Sequence, residues 1–343
     1  MRVLSITSFF PGANPARGIF VKSEIECLEK LGVHVDLVAK TSMNPLGYVN
    51  FAVLSVFKLI LGNYDLIHAY YVPHSALIPA IFKRKPLVVT LLGTDANVFP
   101  WRSKIHFLVS RFMLERADKI IAVSIDIKKT ITSRMNVDER KIEVLHCSGV
   151  DTELFRPIPR ELALKTTGLT AQRVVIFIGG FRAAKGIEDV LTVARRFPNV
   201  LFVLIGGDRL KMPPGNCLVL REMHHEDLPS WICSADLMIL PSRGEGVPSV
   251  ILESLACGTP VIASDVGGCS EAVIDGSTGF LIPVGDLDAL TSKIAYLLDT
   301  EKIRVEMGRK GRADMLARYE HVKLVERLVR TYESLIHSEP PHR

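Results

Sequence analysis

Short apolar runs alternate with helical patterns along nearly the whole chain, and this alternation limits what it can fold into. The runs fall at residues 3–9, 33–39, 66–71, 86–93, 119–123 and 142–148. Each is a near-continuous stretch of apolar and β-branched residues, as expected for strands covered on both faces. Strands of that kind separated by helices give a parallel α/β sheet. The rhythm breaks at 152–172, where Pro157, Pro159 and a polar run read as a linker plus a short amphipathic piece. It then restarts, with runs at 174–179, 201–206, 217–220, 237–240, 260–263 and 280–283. The chain therefore reads as two α/β halves. Its 343 residues are natural for two domains. Ligands of such sheets bind beyond the strand C-termini, and the expected place is the cleft between the halves. A helical pattern over 321–336 is expected to pack back on the first half.

Charge and cysteine content narrow the function classes. The formal net charge is +5. Residues 1–155 hold 19 Lys+Arg against 14 Asp+Glu, so the whole excess lies in the first half. The cluster Lys83-Arg84-Lys85 and the segment carrying Trp101, Arg102, Lys104, Arg111 and Arg116 suit an anionic membrane surface. A solvated basic surface is the competing reading. No nucleic-acid-binding signature accompanies the charge, so a nucleic-acid partner is not expected. The apolar stretch 51–61 is too short to span a bilayer, and Lys58 interrupts it. Six cysteines show no C-x-x-C and no zinc-like spacing with histidine. The N-terminus reads as a strand and not as a secretory leader. Free thiols and a cytoplasmic location are the expectation, with peripheral contact at the inner face of the membrane.

The stretch 243–262 carries the chemistry. It reads as a glycine-bearing loop, a helix and a buried strand. Pro248 suits the first helical position. Val247, Val250, Ile251, Ser254 and Leu255 form a mostly apolar stripe, and Glu253 lies about 130° away from it, facing off the core side. Glu245 precedes the helix, whose free N–H groups suit a phosphate. Gly244 and Gly246 allow close backbone approach. Upstream, Phe177-Ile-Gly-Gly-Phe-Arg-Ala-Ala-Lys-Gly186 sets Arg182 and Lys185 beside a glycine turn, cations that neutralise a diphosphate. This is neither G-x-G-x-x-G nor a P-loop. Asp286-Leu-Asp288 reads as a helix cap and not as a metal site. His224 and His225 read as exposed or at a ligand rim. Glu245 and Glu253 come from one loop–helix unit, which fits gripping one ligand better than flanking a sugar for hydrolysis. No G-x-S-x-G elbow occurs.

These residues resemble a known family. Glu245-Gly-Val-Pro-Ser-Val-Ile-Leu-Glu253 resembles the E-x7-E motif of the retaining, nucleotide-sugar-dependent glycosyltransferases called family 4, or glycosyl transferases group 1. The likeness continues through Ala256-Cys-Gly-Thr-Pro-Val-Ile-Ala-Ser-Asp-Val-Gly-Gly268, Glu271 and Gly279-Phe-Leu-Ile-Pro-Val-Gly-Asp286. Further similar stretches are Ser148-Gly-Val-Asp-Thr-Glu-Leu-Phe-Arg-Pro157, Lys185-Gly186, Gly206-Gly-Asp208 and Arg17-Gly-Ile-Phe-Val-Lys22. The resemblance implies the GT-B fold, two Rossmann-like α/β domains facing each other across a cleft. The divisions expected are 1–153 for the acceptor domain, 154–172 for the linker, 173–318 for the donor domain and 319–343 for the returning helix.

Carried over by position, the resemblance implies that Lys185, with Arg182, binds the donor diphosphate. Glu253 hydrogen-bonds the ribose. Glu245 contacts the transferred sugar and steadies charge near its anomeric carbon. The backbone of Ser249 and Val250 holds phosphate oxygens, Gly246 belongs to the donor-binding set, Arg221 and Met223 lie by the base, and Gly18 sits in the loop approaching the phosphates. Two positions depart from the family. Gly180 stands where many relatives have arginine. Leu92, in Thr90-Leu-Leu-Gly-Thr-Asp95, stands where T-x-H-G-x-D has histidine. Asp95 at the end of that strand, then His68 on another, are the candidates for the missing polar contact. No catalytic metal or cofactor is implied beyond the nucleotide-diphosphate sugar. The expected activity is retaining transfer of a hexose to a saccharide or lipid-linked saccharide acceptor in polysaccharide or glycolipid assembly. A transferase making a small soluble glycoside, or an inactive sugar-nucleotide-binding scaffold, is the alternative.

Overall fold

The computed structural model describes residues 1–8, 10, 18–40, 45–146, 149–207, 210 and 212–337. Arg17, Ser148 and Asp208 of the family-like motifs lie outside these. The chain divides into two compact units, Met1–Ser148 with Val322–Arg343, and Gly149–His321.

The first unit is built on six strands: β1 (Arg2–Thr7), β2 (His34–Ala39), β3 (Leu66–Tyr70), β4 (Leu87–Leu91), β5 (Lys119–Ala122) and β6 (Ile142–Val144). They lie in the order β2-β1-β3-β4-β5-β6, every pair parallel. All five residues of β3, and all five of β4, are buried. That is why the sequence shows unbroken apolar runs here and no alternation. One face of the sheet buries Leu4, Ile6, Ile67, Val89 and Ile120. The other buries Val3, Leu28, Leu66, Val88 and Ile121 against Leu324, Val325, Leu328 and Tyr332 of the C-terminal helix His321–His337. That helix thus completes the core of the first unit, each large side chain worth about 1.5–3 kcal/mol on burial. A buried polar chain reinforces it. The His68 ring joins the Tyr332 hydroxyl, 2.6 Å from Nδ1, to the Thr90 hydroxyl, 2.6 Å from Nε2.

The second unit has β7 (Val174–Ile178), β8 (Leu201–Ile205), β9 (Cys217–Leu220), β10 (Leu237–Leu240), β11 (Val261–Ser264) and β12 (Gly279–Ile282). Their order is β12-β11-β10-β7-β8-β9, again all parallel. This is the doubly wound order of a Rossmann sheet, with its switch point between β7 and β10. The stretch 152–172, expected as a linker plus a short amphipathic piece, contains such a piece. It carries the helix Arg160–Thr167, which buries Ala163 in this unit's core. The unit is closed at its ends by Val150, whose N–H donates to Tyr319 O (2.8 Å) and whose carbonyl accepts from His321 N (3.1 Å).

Candidate active site

A ligand of a doubly wound sheet sits outside the strand C-termini at the switch point. Here the loops after β7 and β10 meet at that place, and each carries a charged residue singled out above. After β7 the chain turns through Gly179 into a short 3-10 turn, Ala183–Lys185, ended by Gly186. Gly186 has φ +72°, and a Cβ there would stand 2.0 Å from the Pro241 carbonyl oxygen. Glycine therefore lets the first loop touch the second. The Arg243 N–H donates to Ala184 O at 2.9 Å. The Arg243 guanidinium grips both carboxylate oxygens of Asp189, at 2.9 and 3.1 Å, on the helix Ile187–Arg196.

This join brings Lys185 Nζ to 2.6 and 2.8 Å from the two carboxylate oxygens of Glu245. The Ser242 hydroxyl also donates to Glu245 Oε1 at 2.6 Å. The backbone of Glu245 is backed by Gly267, φ +54°, where a Cβ would stand 1.9 Å from the Glu245 carbonyl oxygen. The neighbouring Gly268 N–H donates to Gly246 O at 2.7 Å. The loop is thus pinned from both sides.

The loop feeds the helix Ser249–Ala256. Pro248 is its N-cap and not its first residue, and no side chain caps it. The first-turn N–H groups, those of Ser249 and Val250 included, are the ones an anion satisfies at such an end. Glu253 corrects the helical-wheel expectation: it is only 5 % exposed. Every residue from Ile251 to Ala256 is buried, so this short helix has no wide solvent face. His225 covers Glu253, its Nε2 3.0 Å from Oε1, and packs edge-on against Phe155 with ring centres 4.9 Å apart. Glu253 Oε2 is buried with no hydrogen-bond partner among the described residues. A buried carboxylate oxygen without a donor invites one from a ligand. Burial pulls the His225 imidazole down. The hydrogen bond and charge of Glu253, aided by Asp151 and Glu226, outweigh this and raise its pKa above the usual value.

The remaining residues divide. Arg182 is exposed and folds back over Gly180, whose added Cβ would meet Arg182 Nε at 3.2 Å. Its carbonyl oxygen accepts from Lys185 N at 2.9 Å, but its guanidinium pairs with neither Lys185 nor Glu245 among the described residues. Arg221 is exposed, while Met223 is half-buried against the core. Gly18 belongs to the first unit, where at φ +70° it starts the helix Ile19–Lys30. Asp286 caps the helix Leu287–Asp299 by accepting from Ala289 N at 2.8 Å, and Asp288 pairs with Arg196 at 2.8 Å.

Asp95 is not placed to substitute for a histidine at Leu92. It lies on the short helix Thr94–Asn97 and not at the end of β4, and it is 1 % exposed. Its carboxylate accepts from the N–H groups of Leu92 (2.9 Å), Gly93 (2.8 Å) and Val72 (3.2 Å). Burial pushes its carboxyl up to about 7 against the pull of these amides. Its task is to hold the turn. His68 lies in mid-strand, fully buried, and burial pushes its pKa down to about 3. Leu92 packs on the apolar cluster of its sheet. Sequence reasoning missed Ser242 and the Arg243–Asp189 clamp. Arg243 lay inside the motif, but nothing in the pattern paired it with a residue 54 positions earlier.

Comparison with known proteins accords with this geometry. Residues 161–314 match the model for glycosyl transferases group 1, and residues 18–154 match that for glycosyltransferase family 4. An uncharacterised glycosyltransferase of Methanocaldococcus jannaschii is 30 % identical over 283 residues, which is 79 % of this chain and 76 % of the relative. The chain belongs to the group 1 glycosyltransferases. It is also similar to the D-inositol 3-phosphate glycosyltransferase of Mycobacterium tuberculosis, 28 % identical over 76 % of this chain, and spans 58 % of that protein's length. Among solved structures, the sucrose-phosphate synthase of Thermosynechococcus elongatus superposes with a TM-score of 0.82 at 22 % identity, over 98 % of this chain and 99 % of that one. Anabaena HepE in complex with UDP and glucose gives 0.80 at 20 % identity, over 98 % and 100 %. These likenesses establish the GT-B fold of this glycosyltransferase. No helix among its described residues is long and apolar enough to cross a membrane.

Proposed function

We propose that this glycosyltransferase moves a hexose, with retention, from a nucleoside-diphosphate sugar to a saccharide or lipid-linked saccharide, working at a membrane surface. One observation carries the reading. A cation–carboxylate pair, Lys185 and Glu245, stands at the uncapped start of a helix whose own Glu253 keeps one buried oxygen without a donor. The helix start and Lys185 suit a diphosphate. Glu253 suits a ribose hydroxyl. Glu245 suits the sugar and the positive charge that grows at its anomeric carbon. A leaving diphosphate held by a cation and by helix N–H groups is stabilised without a metal, through preorganised charges aimed at the transition state. HepE, whose solved complexes hold UDP and UDP-glucose, supports a uridine nucleotide as the first donor to try.

The test is calorimetric titration with UDP-, GDP- and ADP-sugars, followed by transfer to a matched acceptor and assignment of the product anomer by NMR. A retained anomer supports the reading. Inversion, or no nucleotide binding, overturns it. Leu92 favours a second reading, a nucleotide-sugar binder without turnover, because it removes a polar group from the motif. Binding without consumption of any donor is the result that supports that one.

A further inference from the structure

The helix Pro45–Leu61 is apolar along its length, with Lys58 its only charged residue. A helix apolar all round belongs in a core or in lipid, yet this one covers only part of its surface. Phe51, Ser55 and Leu59 are buried against the first unit. On the opposite side Leu46, Val49, Val53, Phe57, Ile60 and Leu61 face out, with Leu46 76 %, Val53 62 % and Phe57 57 % exposed. At about 100° per residue these six fall within an arc of roughly 120°. At 17 residues the helix is about 25 Å long, enough to lie along a bilayer and too short to cross one.

The apolar surface continues on neighbouring helices. Pro45–Leu61 packs against Leu77–Ile81, which packs against Lys104–Arg116. Ile81, Phe82, Ile105, Leu108 and Phe112 are exposed there. Basic charge predominates nearby, since Glu115 and Asp118 are taken up by Arg111 and Lys83. Arg84, Lys85, Arg102 and Lys104 are exposed and take part in no ion pair among the described residues. Between 45 and 114 the chain has only two acidic residues, Asp65 and the buried Asp95.

From this surface we infer that the glycosyltransferase docks on anionic lipid by laying Pro45–Leu61 into the interface, with Arg84, Lys85, Arg102 and Lys104 against the headgroups. The charge pattern selects this occupant. A two-fold dimer through the same face would set like charges against each other, whereas anionic headgroups neutralise them. The geometry also narrows which cations of the basic segments are free to meet headgroups. Arg111 is held by Glu115, Arg116 donates to Ala80 O, and Lys83 is held by Asp118. Apolar insertion then supplies the grip and the free cations supply the preference for anionic lipid. The proposal rests on the functional reading only in making a lipid-linked acceptor the natural substrate.

The experiment is sedimentation of the full chain with vesicles of phosphatidylcholine alone or mixed with phosphatidylglycerol, beside sedimentation velocity without lipid. The chain should partition onto mixed vesicles, and more weakly onto phosphatidylcholine alone. High salt should remove the preference for anionic lipid but leave the apolar part, because salt screens charge and does not weaken apolar burial. The double variant Val53→Glu/Phe57→Glu, altered only at exposed positions, should lower partitioning by about tenfold or more. Its nucleotide affinity and melting temperature should match the parent. Arg84→Glu/Lys85→Glu should abolish the anionic preference. Absence of binding to mixed vesicles, or binding unchanged by Val53→Glu/Phe57→Glu, overturns the proposal. So does a stable dimer that this variant splits into monomers. Lys185→Ala should still bind vesicles, so a failed donor assignment and a failed docking surface give different results.

Discussion

Lys185 and Glu245, 60 residues apart in the chain, hold each other through both carboxylate oxygens. Glu245 takes two of the three ammonium N–H groups, which leaves one for a phosphate oxygen. Lys185→Ala removes the cation from the donor and also deprives a nearly buried carboxylate of its partner. A charge-assisted contact is worth about 1.5–3 kcal/mol, so nucleotide affinity should fall roughly ten- to hundredfold. The ligand-free protein should lose stability too. Lys185 is 28 % exposed, and solvent screening trims that loss to about 1–2 kcal/mol. Calorimetry and a denaturant titration measure the two effects. An affinity that does not move removes Lys185 from the donor site.

Gly267→Ala should disable the site from behind. The new methyl would stand 1.9 Å from the Glu245 carbonyl oxygen, at a φ that L-residues rarely adopt. The Glu245 loop must shift, and a displacement near 1 Å costs about a hundredfold in turnover. Gly276→Ala is the control, since it has a similar φ of +70° and no atom within 4 Å of the added carbon. If the two variants turn over alike, the backing role of Gly267 is wrong.

The His225–Glu253 pair gives stability a pH dependence of known sign. Its imidazole pKa is raised in the folded chain above the ordinary 6.5. The stabilisation is therefore complete below pH 6.5 and fades as pH climbs through the folded value. Melting curves of the parent and His225→Gln should differ most in mild acid and converge in mild alkali. A gap that widens with rising pH contradicts the assignment.

Asp95→Ala should unfold a turn before it touches chemistry. Three backbone N–H groups lose their acceptor in a site with almost no water. Stability should drop by about 2–4 kcal/mol, at 1–3 for each buried group left unsatisfied and partly relieved by relaxation. Nucleotide affinity, measured well below the melting temperature, should stay within about twofold. A fully stable Asp95→Ala that loses only turnover restores Asp95 to the catalytic set.

All twelve strands were legible in the sequence: those buried along their whole length, such as β3 and β4, leave unbroken apolar runs, while edge strands such as β2 and β9 are only part-buried and stood out by the alternation with helices. The site was legible as a motif and less so as geometry. Glu245, Glu253 and Lys185 were named from the chain. That Lys185 binds Glu245 was not, since it depends on two loops meeting through Gly186. Glu253 was turned the wrong way because a helical wheel equates the polar side with solvent. A short helix enclosed by His225 and Phe155 breaks that equation. Asp95 looked like a free carboxylate because sequence cannot reveal that backbone amides have claimed it. The short amphipathic piece expected in 152–172 is the eight-residue helix Arg160–Thr167, whose exact bounds its flanking prolines and polar run did not give.

The C-terminal helix sets an order of assembly. Leu324, Val325, Leu328 and Tyr332 fill one face of the sheet that begins with Arg2. A ribosome makes them only after the entire second unit has been synthesised. The nascent first unit must therefore wait with that face uncovered while its neighbour, whose core runs to Tyr319, is made. Truncation before Val322 would leave a folded second unit attached to a sticky, unfinished one. A reporter for correct production of this enzyme accordingly belongs at its last helix.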